Sequence, residues 1–264
     1  LFNTNKYYFL SRPRRFGKSL LLSTIEAYAL GKKELFKGLA LEKLEKHWTV
    51  YPVLHLDLNT QKYDTAEALT NVLEENVQNW EAIYGSSSRE IGVARRFQGI
   101  IRRACEQTGR RVVILIDEYD KPMLQAIGNE ALQNEYRSTL KAFYGALKSM
   151  DGCIRFALLT GVTKFGKVSV FSDLNNLRDI SMIDQYAEIC GISEKEIHTW
   201  FEEDIHELAA ATGMSYEEAC KELKTNYDGY HFTENAIGMY NPFSLLNTFA
   251  KKRFGSYWFE TGTP

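Results

Sequence analysis

The residues with the clearest chemistry sit in two short stretches. The first is Tyr8-Phe9-Leu10-Ser11-Arg12-Pro13-Arg14-Arg15-Phe16-Gly17-Lys18-Ser19-Leu20-Leu21-Leu22. It reads as a short strand, a tight loop and a helix opening on Gly17-Lys18-Ser19, the order that a phosphate-binding loop requires. In such a loop successive backbone N–H groups and a helix N-terminus surround phosphate oxygens. The lysine ammonium reaches the outer phosphates, and the hydroxyl ligates Mg²⁺. On this reading Arg14, Arg15, Phe16, Gly17, Lys18, Ser19 and Leu20 line the phosphates, and Ser19 is also a metal ligand. The full pattern is G-x-x-x-x-G-K-[ST]; Arg12 occupies its first position, so the match is incomplete.

The second stretch is Arg111-Val112-Val113-Ile114-Leu115-Ile116-Asp117-Glu118. Its unbroken aliphatic run reads as a strand buried on both faces, as in a parallel sheet. Two carboxylates follow at its C-terminal end, where open α/β sheets bind ligands. This resembles a Walker B strand, with Asp117 in the Mg²⁺ shell and Glu118 polarising the attacking water. The same residues also describe a core strand ending in a solvated acidic turn. The loop upstream in the same chain favours the first reading.

The elements that must hold these residues are legible in outline. A first helix spans 17–29, with Leu21, Leu22, Ile25 and Tyr28 on its apolar side and Gly31 as its stop. Residues 32–50 suggest a short surface helix, and 53–58 a second strand. His55 in that strand suits a hydrogen-bonded structural role better than a catalytic one. Asp64-Thr65-Ala66-Glu67 has capping-box spacing and opens a helix with Leu69, Val72, Leu73, Val77, Trp80 and Ile83 inward. A third helix over 89–108 turns Ile91, Ala94, Phe97, Ile101 and Cys105 inward. Its outer face carries Arg95, Arg96, Arg102 and Arg103, a stripe that is either solvated or a phosphate contact for nucleic acid or for a neighbouring subunit's nucleotide. Pro122 and Gly128 mark a turn, then 130–149 is helical and 154–161 is a strand ending in Thr160-Gly161. The polar region 161–186 reads as a functional loop. Beyond it Ser193-Glu194-Lys195-Glu196 and Ser215-Tyr216-Glu217-Glu218 are capping boxes, and Asn241-Pro242 caps a last helix through Phe249. The boundary is expected near 186, giving an α/β core over 1–186 and a helical, lid-like domain over 187–264.

Bulk properties exclude several classes. With 264 residues, 44% apolar and 25% charged, the chain holds enough material for one core and a smaller appended domain. A net charge of −2 gives no global attraction to nucleic acid or anionic lipid. Cys105, Cys153, Cys190 and Cys220 form no C-x-x-C pair, so reduced thiols are expected rather than a zinc or disulfide framework. No apolar run spans a bilayer and no signal peptide is visible, so the expectation is a cytoplasmic protein without membrane contact. The chain begins at Leu1 without Met and is read as a piece of a longer protein.

Three segments together carry a family resemblance: Arg12-Pro13-Arg14-Arg15-Phe16-Gly17-Lys18-Ser19, then Asp117-Glu118-Tyr119-Asp120, then Tyr227-Asp228-Gly229-Tyr230 with Tyr240-Asn241-Pro242-Phe243. They resemble the AAA-ATPase-like family, which is similar to archaeal-type STAND P-loop ATPases, and the likeness covers nearly the whole chain. In that family Arg at the first loop position is usual. The resemblance implies an additional-strand, catalytic-Glu P-loop core with sheet order 5-1-4-3-2. It also implies a PD-(D/E)XK nuclease-like domain that often follows, of which no motif is present here.

The expected activity is an ATP-binding, Mg²⁺-dependent ATPase module used as a switch. Ser19 and Asp117 hold Mg²⁺, Glu118 activates water, Thr160 senses the γ-phosphate, and Arg178 completes the site in cis. Arg12, Arg14 and Arg15 either neutralise phosphate charge or pack on acidic residues of the core. The lack of an N-K-x-D segment favours ATP over GTP. Two other classes stay open: a scaffold that binds ATP without turnover, and the ATPase part of a nucleic-acid-processing protein. Assembly into an oligomer is compatible with either.

Overall fold

Aliphatic and aromatic residues that alternate sides of a pleated strand set the first sheet. The computed structural model describes residues 1–163, 176–234 and 237–258. The chain divides into two units, one of residues 1–11 and 19–179, the other of 12–18 and the residues from Ile180 onward.

In the first unit β1 (Tyr7–Ser11) leads to α1 (Lys18–Ala29), α2 (Ala40–Leu44), β2 (Val53–Asp57), α3 (Ala66–Tyr84), α4 (Val93–Thr108) and β3 (Val112–Asp117). Then come α5 (Lys121–Gln125), α6 (Glu130–Ser149), β4 (Ile154–Gly161) and the two-residue β5 (Arg178–Asp179). The strands form one parallel sheet in the order β5-β1-β4-β3-β2, the order 5-1-4-3-2 that the family resemblance implies. Every residue of β3 is buried, as a strand covered on both faces must be. On one face α3, α4 and α6 close the core through Leu69, Val72, Phe97, Ile101, Tyr136 and Phe143 against Phe9, Leu54, Ile114 and Ile116. The Phe97 and Phe143 rings stack at 4.3 Å.

Several expectations are corrected here. Residues 32–50 give a 3₁₀ turn at Lys33–Phe36 and the short α2, because the chain breaks at Gly38 with φ of 81°. The capping box at 64–67 does not form. Thr65 is the N-cap without a side-chain bond, and Asp64 pairs with Lys62 instead. Ile83 and Ile91 are exposed, Ile91 because α4 starts only after Gly92. The turn expected at Pro122 holds α5, whose start tolerates the proline. Arg178 lies on a strand, level with Tyr8 of β1, and not in a loop. Part of the polar segment 161–186, including Asp173, falls outside the described residues.

The second unit contains β6 (Ile192–Ser193), α7 (Glu194–Trp200), α8 (Glu202–Thr212), α9 (Tyr216–Tyr227), β7 (Met239–Tyr240) and α10 (Pro242–Lys251). Both expected capping boxes form: Ser193 with Glu196 and Ser215 with Glu218. Asn241 caps α10 by accepting from the Ser244 N–H. Ile197, Ile205, Leu208, Leu223, Tyr227, Leu245 and Phe249 make its core. Trp200, expected inward, is exposed. An antiparallel pairing of β6 with β7, for which the sequence holds no local signal, adds a small sheet to the helices.

Candidate functional site

Parallel pairing aligns the C-terminal ends of the strands along one edge of the sheet. Leu10 is level with Thr160, Ser11 with Gly161, and Asp57 with Asp117. Ser19, Asp117, Glu118 and Thr160 meet at this edge, whereas Arg178 of the same unit, level with Tyr8, stops short of it. The Asp117 carboxylate is buried and collects three donors. The Ser19 hydroxyl donates to its Oδ2, the Thr160 hydroxyl to its Oδ1 at 2.5 Å, and the Glu118 N–H to the same Oδ1 at 3.0 Å. Ser19 comes from the first turn of α1, Asp117 from the end of β3 and Thr160 from the end of β4.

Glu118 follows at φ of 52°, in the left-handed region that costs a non-glycine residue roughly 1–2 kcal/mol. The turn around it is fixed by its neighbours. The Tyr119 N–H donates to the Thr160 carbonyl at 2.9 Å, and the Lys121 N–H to the Glu118 carbonyl at 3.0 Å. Asp120, completely buried, accepts from the Val162 N–H at 3.1 Å and from the Thr163 N–H and hydroxyl at 2.7 and 2.8 Å. Tyr119 Oη donates to the Thr163 carbonyl at 2.9 Å. A Cβ on Gly161 would come within 2.5 Å of the Tyr119 ring and 2.7 Å of the Asp120 carboxylate, so only glycine fits. Sequence reasoning gave Tyr119, Asp120 and Gly161 no role of their own. A second carboxylate three residues after Asp117, and a glycine directly after Thr160, were the available signals.

The loop Arg12–Lys18 belongs to the second unit. Lys18 is almost fully buried, and its ammonium donates to the carbonyls of Arg12 at 3.1 Å and Pro13 at 3.3 Å, inside the curve of the loop. Two positive backbone angles shape it: Arg15 at φ of 66° and Gly17 at 93°. The second is why glycine stands before Lys18, since a Cβ there meets nothing within 4 Å and only the backbone conformation forbids it. Arg12 is buried, and its guanidinium donates to the carbonyls of Ser181 at 2.7 Å and Tyr186 at 2.9 Å. Arg15 stacks its guanidinium 4.0 Å over the Phe243 ring, and Phe16 is buried. Arg14 and Leu20 are exposed.

The remaining expected residues lie apart. His55 Nδ1 pairs with Glu26 at 2.8 Å, the hydrogen-bonded role read from the sequence. In the arginine stripe Arg96 bonds Glu74 and Glu81, while Arg102 and Arg103 bond Glu90. The Arg96 bond holds the Glu81 carboxyl below its ordinary value and pushes the Arg96 guanidinium up. Three of the four guanidinium charges are thus already met by carboxylates. The four cysteines form no disulfide; Cys190 is buried and the other three are partly exposed. Among the described residues no cluster of three or more His, Cys, Asp or Glu could hold a metal, and no helix is long and apolar enough to cross a membrane.

A parallel sheet of this order, with a glycine-lysine-serine loop after β1 and an aspartate at the end of β3, defines a P-loop-like α/β protein. Residues 1–171 match the AAA-ATPase-like family, described as "Predicted AAA-ATPase", and the chain belongs to that family. It is also 38% identical over 264 residues to an "Uncharacterized protein in vnfD 5'region" of Azotobacter chroococcum mcd 1. That match takes in 100% of this chain and 49% of the relative, so the chain spans about half the relative's length.

Proposed function

We propose that the chain is an ATP-binding, Mg²⁺-dependent ATPase module that acts as a nucleotide-driven switch. The observation that carries this reading is the bond between the Ser19 hydroxyl and the buried Asp117 carboxylate. It brings the residue after the loop lysine to the end of the buried strand β3, as close together as two ligands of one small cation must come. The donor set is oxygen only and too small for a dedicated metal cage, which suits Mg²⁺ shared with substrate phosphates. Ser19 and Asp117 would hold the ion, which when bound neutralises charge on the phosphate oxygens.

The chain's own residues supply the rest. The N–H groups of residues 14–20 and the Lys18 ammonium bind phosphate oxygens, Lys18 exchanging its two loop carbonyls for them. Glu118 takes a proton from the attacking water. Its left-handed backbone separates its side chain from that of Asp117, so adjacent carboxylates do different work. Thr160 acts through Asp117, holding one carboxylate oxygen while the other faces Ser19. The placement of Arg178 offers a cis role no support, and the ion pairs of the arginine stripe offer none to a nucleic-acid surface. Calorimetric titration with ATP, with and without Mg²⁺, followed by a phosphate-release assay, tests the proposal. Lys18→Ala is expected to abolish tight ATP binding in a folded protein, and unchanged affinity there would sink the phosphate-loop assignment.

A further inference from the structure

The incomplete loop motif is explained by what surrounds it in the second unit. Where the general pattern has glycine, Arg12 is buried, and both terminal nitrogens of its guanidinium donate to backbone carbonyls. Its guanidinium lies 3.9 Å over the Phe232 ring and donates to carbonyls of Ser181 and Tyr186. Phe16 is buried with its ring edge-on to Tyr230 at 4.5 Å and to Phe232 at 5.5 Å. The Phe16 carbonyl accepts from the Gly191 N–H at 3.1 Å. The aromatic segment is itself pinned, because the Met239 N–H donates to the Tyr230 carbonyl and the Asn241 N–H to the Tyr227 carbonyl, both at 3.0 Å. A loop with two positive-φ residues keeps its shape only when its surroundings determine it. Here Phe232 touches the loop at two points at once, Arg12 through its face and Phe16 in a T-shaped ring contact.

We propose that Phe232, supported by Tyr230, is a positioning residue that sets the phosphate-binding geometry of Arg12–Lys18. Nucleotide occupancy and the order of segment 227–234 are therefore linked. This rests on the nucleotide reading above and adds where the bound nucleotide is sensed. By reciprocity, whatever steadies that segment tightens ATP binding, and ATP steadies the segment. Such a segment is the point through which a switch would report.

Three variants and one measurement on the parent chain test it. Removing a partly buried ring with its T-shaped contact to Phe16 and its cation–π contact to Arg12 in Phe232→Ala is expected to raise the Kd for MgATP about tenfold. The loop binds phosphates alike in ground and transition states, so kcat at saturating ATP stays within about twofold while KM rises. Phe232→Tyr, which keeps the ring, restores the Kd to within about threefold of the parent. Leu208→Ala, in the core of the same unit away from the loop, lowers Tm but leaves the Kd within about twofold. In the parent, MgATP slows hydrogen exchange in segment 227–234, a readout that needs no variant to fold. Equal affinity in parent and Phe232→Ala, equal weakening by Leu208→Ala, or unchanged exchange in 227–234 on saturation with MgATP overturns the inference. A parent chain that binds no ATP overturns the nucleotide reading itself, a result distinct from each of these.

Discussion

Asp117 and Glu118 show how one peptide bond separates two kinds of carboxylate. Asp117 is buried and accepts from Ser19, Thr160 and its neighbour's N–H. Glu118, turned by its positive φ, is only partly buried. If Glu118 is the base, Glu118→Gln keeps ATP affinity and lowers turnover by roughly 10²–10⁴, since the amide is nearly isosteric but takes no proton. Single-turnover phosphate release checks this, and parental speed removes Glu118 from the mechanism. Thr160→Val keeps the shape and deletes the donor to Asp117 Oδ1. A buried acceptor losing a charge-assisted bond costs about 1–3 kcal/mol, so Tm falls. If Thr160 orients a metal ligand, the Mg²⁺ concentration for half-maximal ATP binding also rises. A lower Tm with an unchanged Mg²⁺ requirement makes Thr160 a packing residue alone. Asp117 and Glu118 were legible because an unbroken aliphatic run followed by two acids sets both carboxylates at the end of a buried strand, on the ligand edge of a parallel sheet. Asp120 was not, because its role depends on N–H groups more than forty residues away that only the folded sheet brings to it.

At the scale of elements, α3 and α4 are tied by a fork: Arg96 on α4 reaches Glu74 and Glu81 on α3. The helical period placed Arg96 on an outer face, but period says nothing about which neighbour meets that face. That is why the stripe read as a phosphate surface. Arg96→Met keeps much of the stem and strands two carboxylates that are one-third exposed or less, at a cost of about 1–2 kcal/mol at neutral pH after allowance for solvent screening. The sign with pH follows from Glu81, whose folded pKa lies below its ordinary 4.5. Its contribution is complete above that value and is lost as pH falls through the folded value. Urea unfolding of parent and variant should therefore show a gap that is constant near pH 7 and narrows below about pH 4.5. A gap that stays constant into acid means the fork contributes through packing and not through charge.

For the whole molecule, local signals carried far and tertiary ones did not. Strand runs, two capping boxes and the Asn241 cap follow from residues a few positions apart, so they were readable. The sheet order came from family resemblance, since parallel pairing joins segments that no local pattern connects. The grouping of Arg12–Lys18 with the C-terminal residues was invisible, because an arginine bonded to carbonyls has the same letter as one bonded to phosphate. Arg178 poses the same problem in reverse. Its side chain was expected in a polar loop at the ligand edge, but its backbone is fixed on β5, level with Tyr8 and three strands from β3. At about 4.8 Å per strand it stands about 14 Å across the sheet from Asp117. It is also three residues, roughly 10 Å, short of the edge where β1 ends. One arginine side chain does not close both gaps while its strand stays paired. Arg178→Ala should therefore leave specific ATPase activity within about twofold, against the roughly 10³–10⁵ that an arginine finger supplies. A dilution series makes the result decisive. A loss of that size in Arg178→Ala, with specific activity flat on dilution, would show that β5 unpairs to deliver the guanidinium within one chain. Activity that rises steeply with protein concentration, with Arg178→Ala silent, places the completing cation on a second copy, where the exposed Arg95 is the first residue to replace.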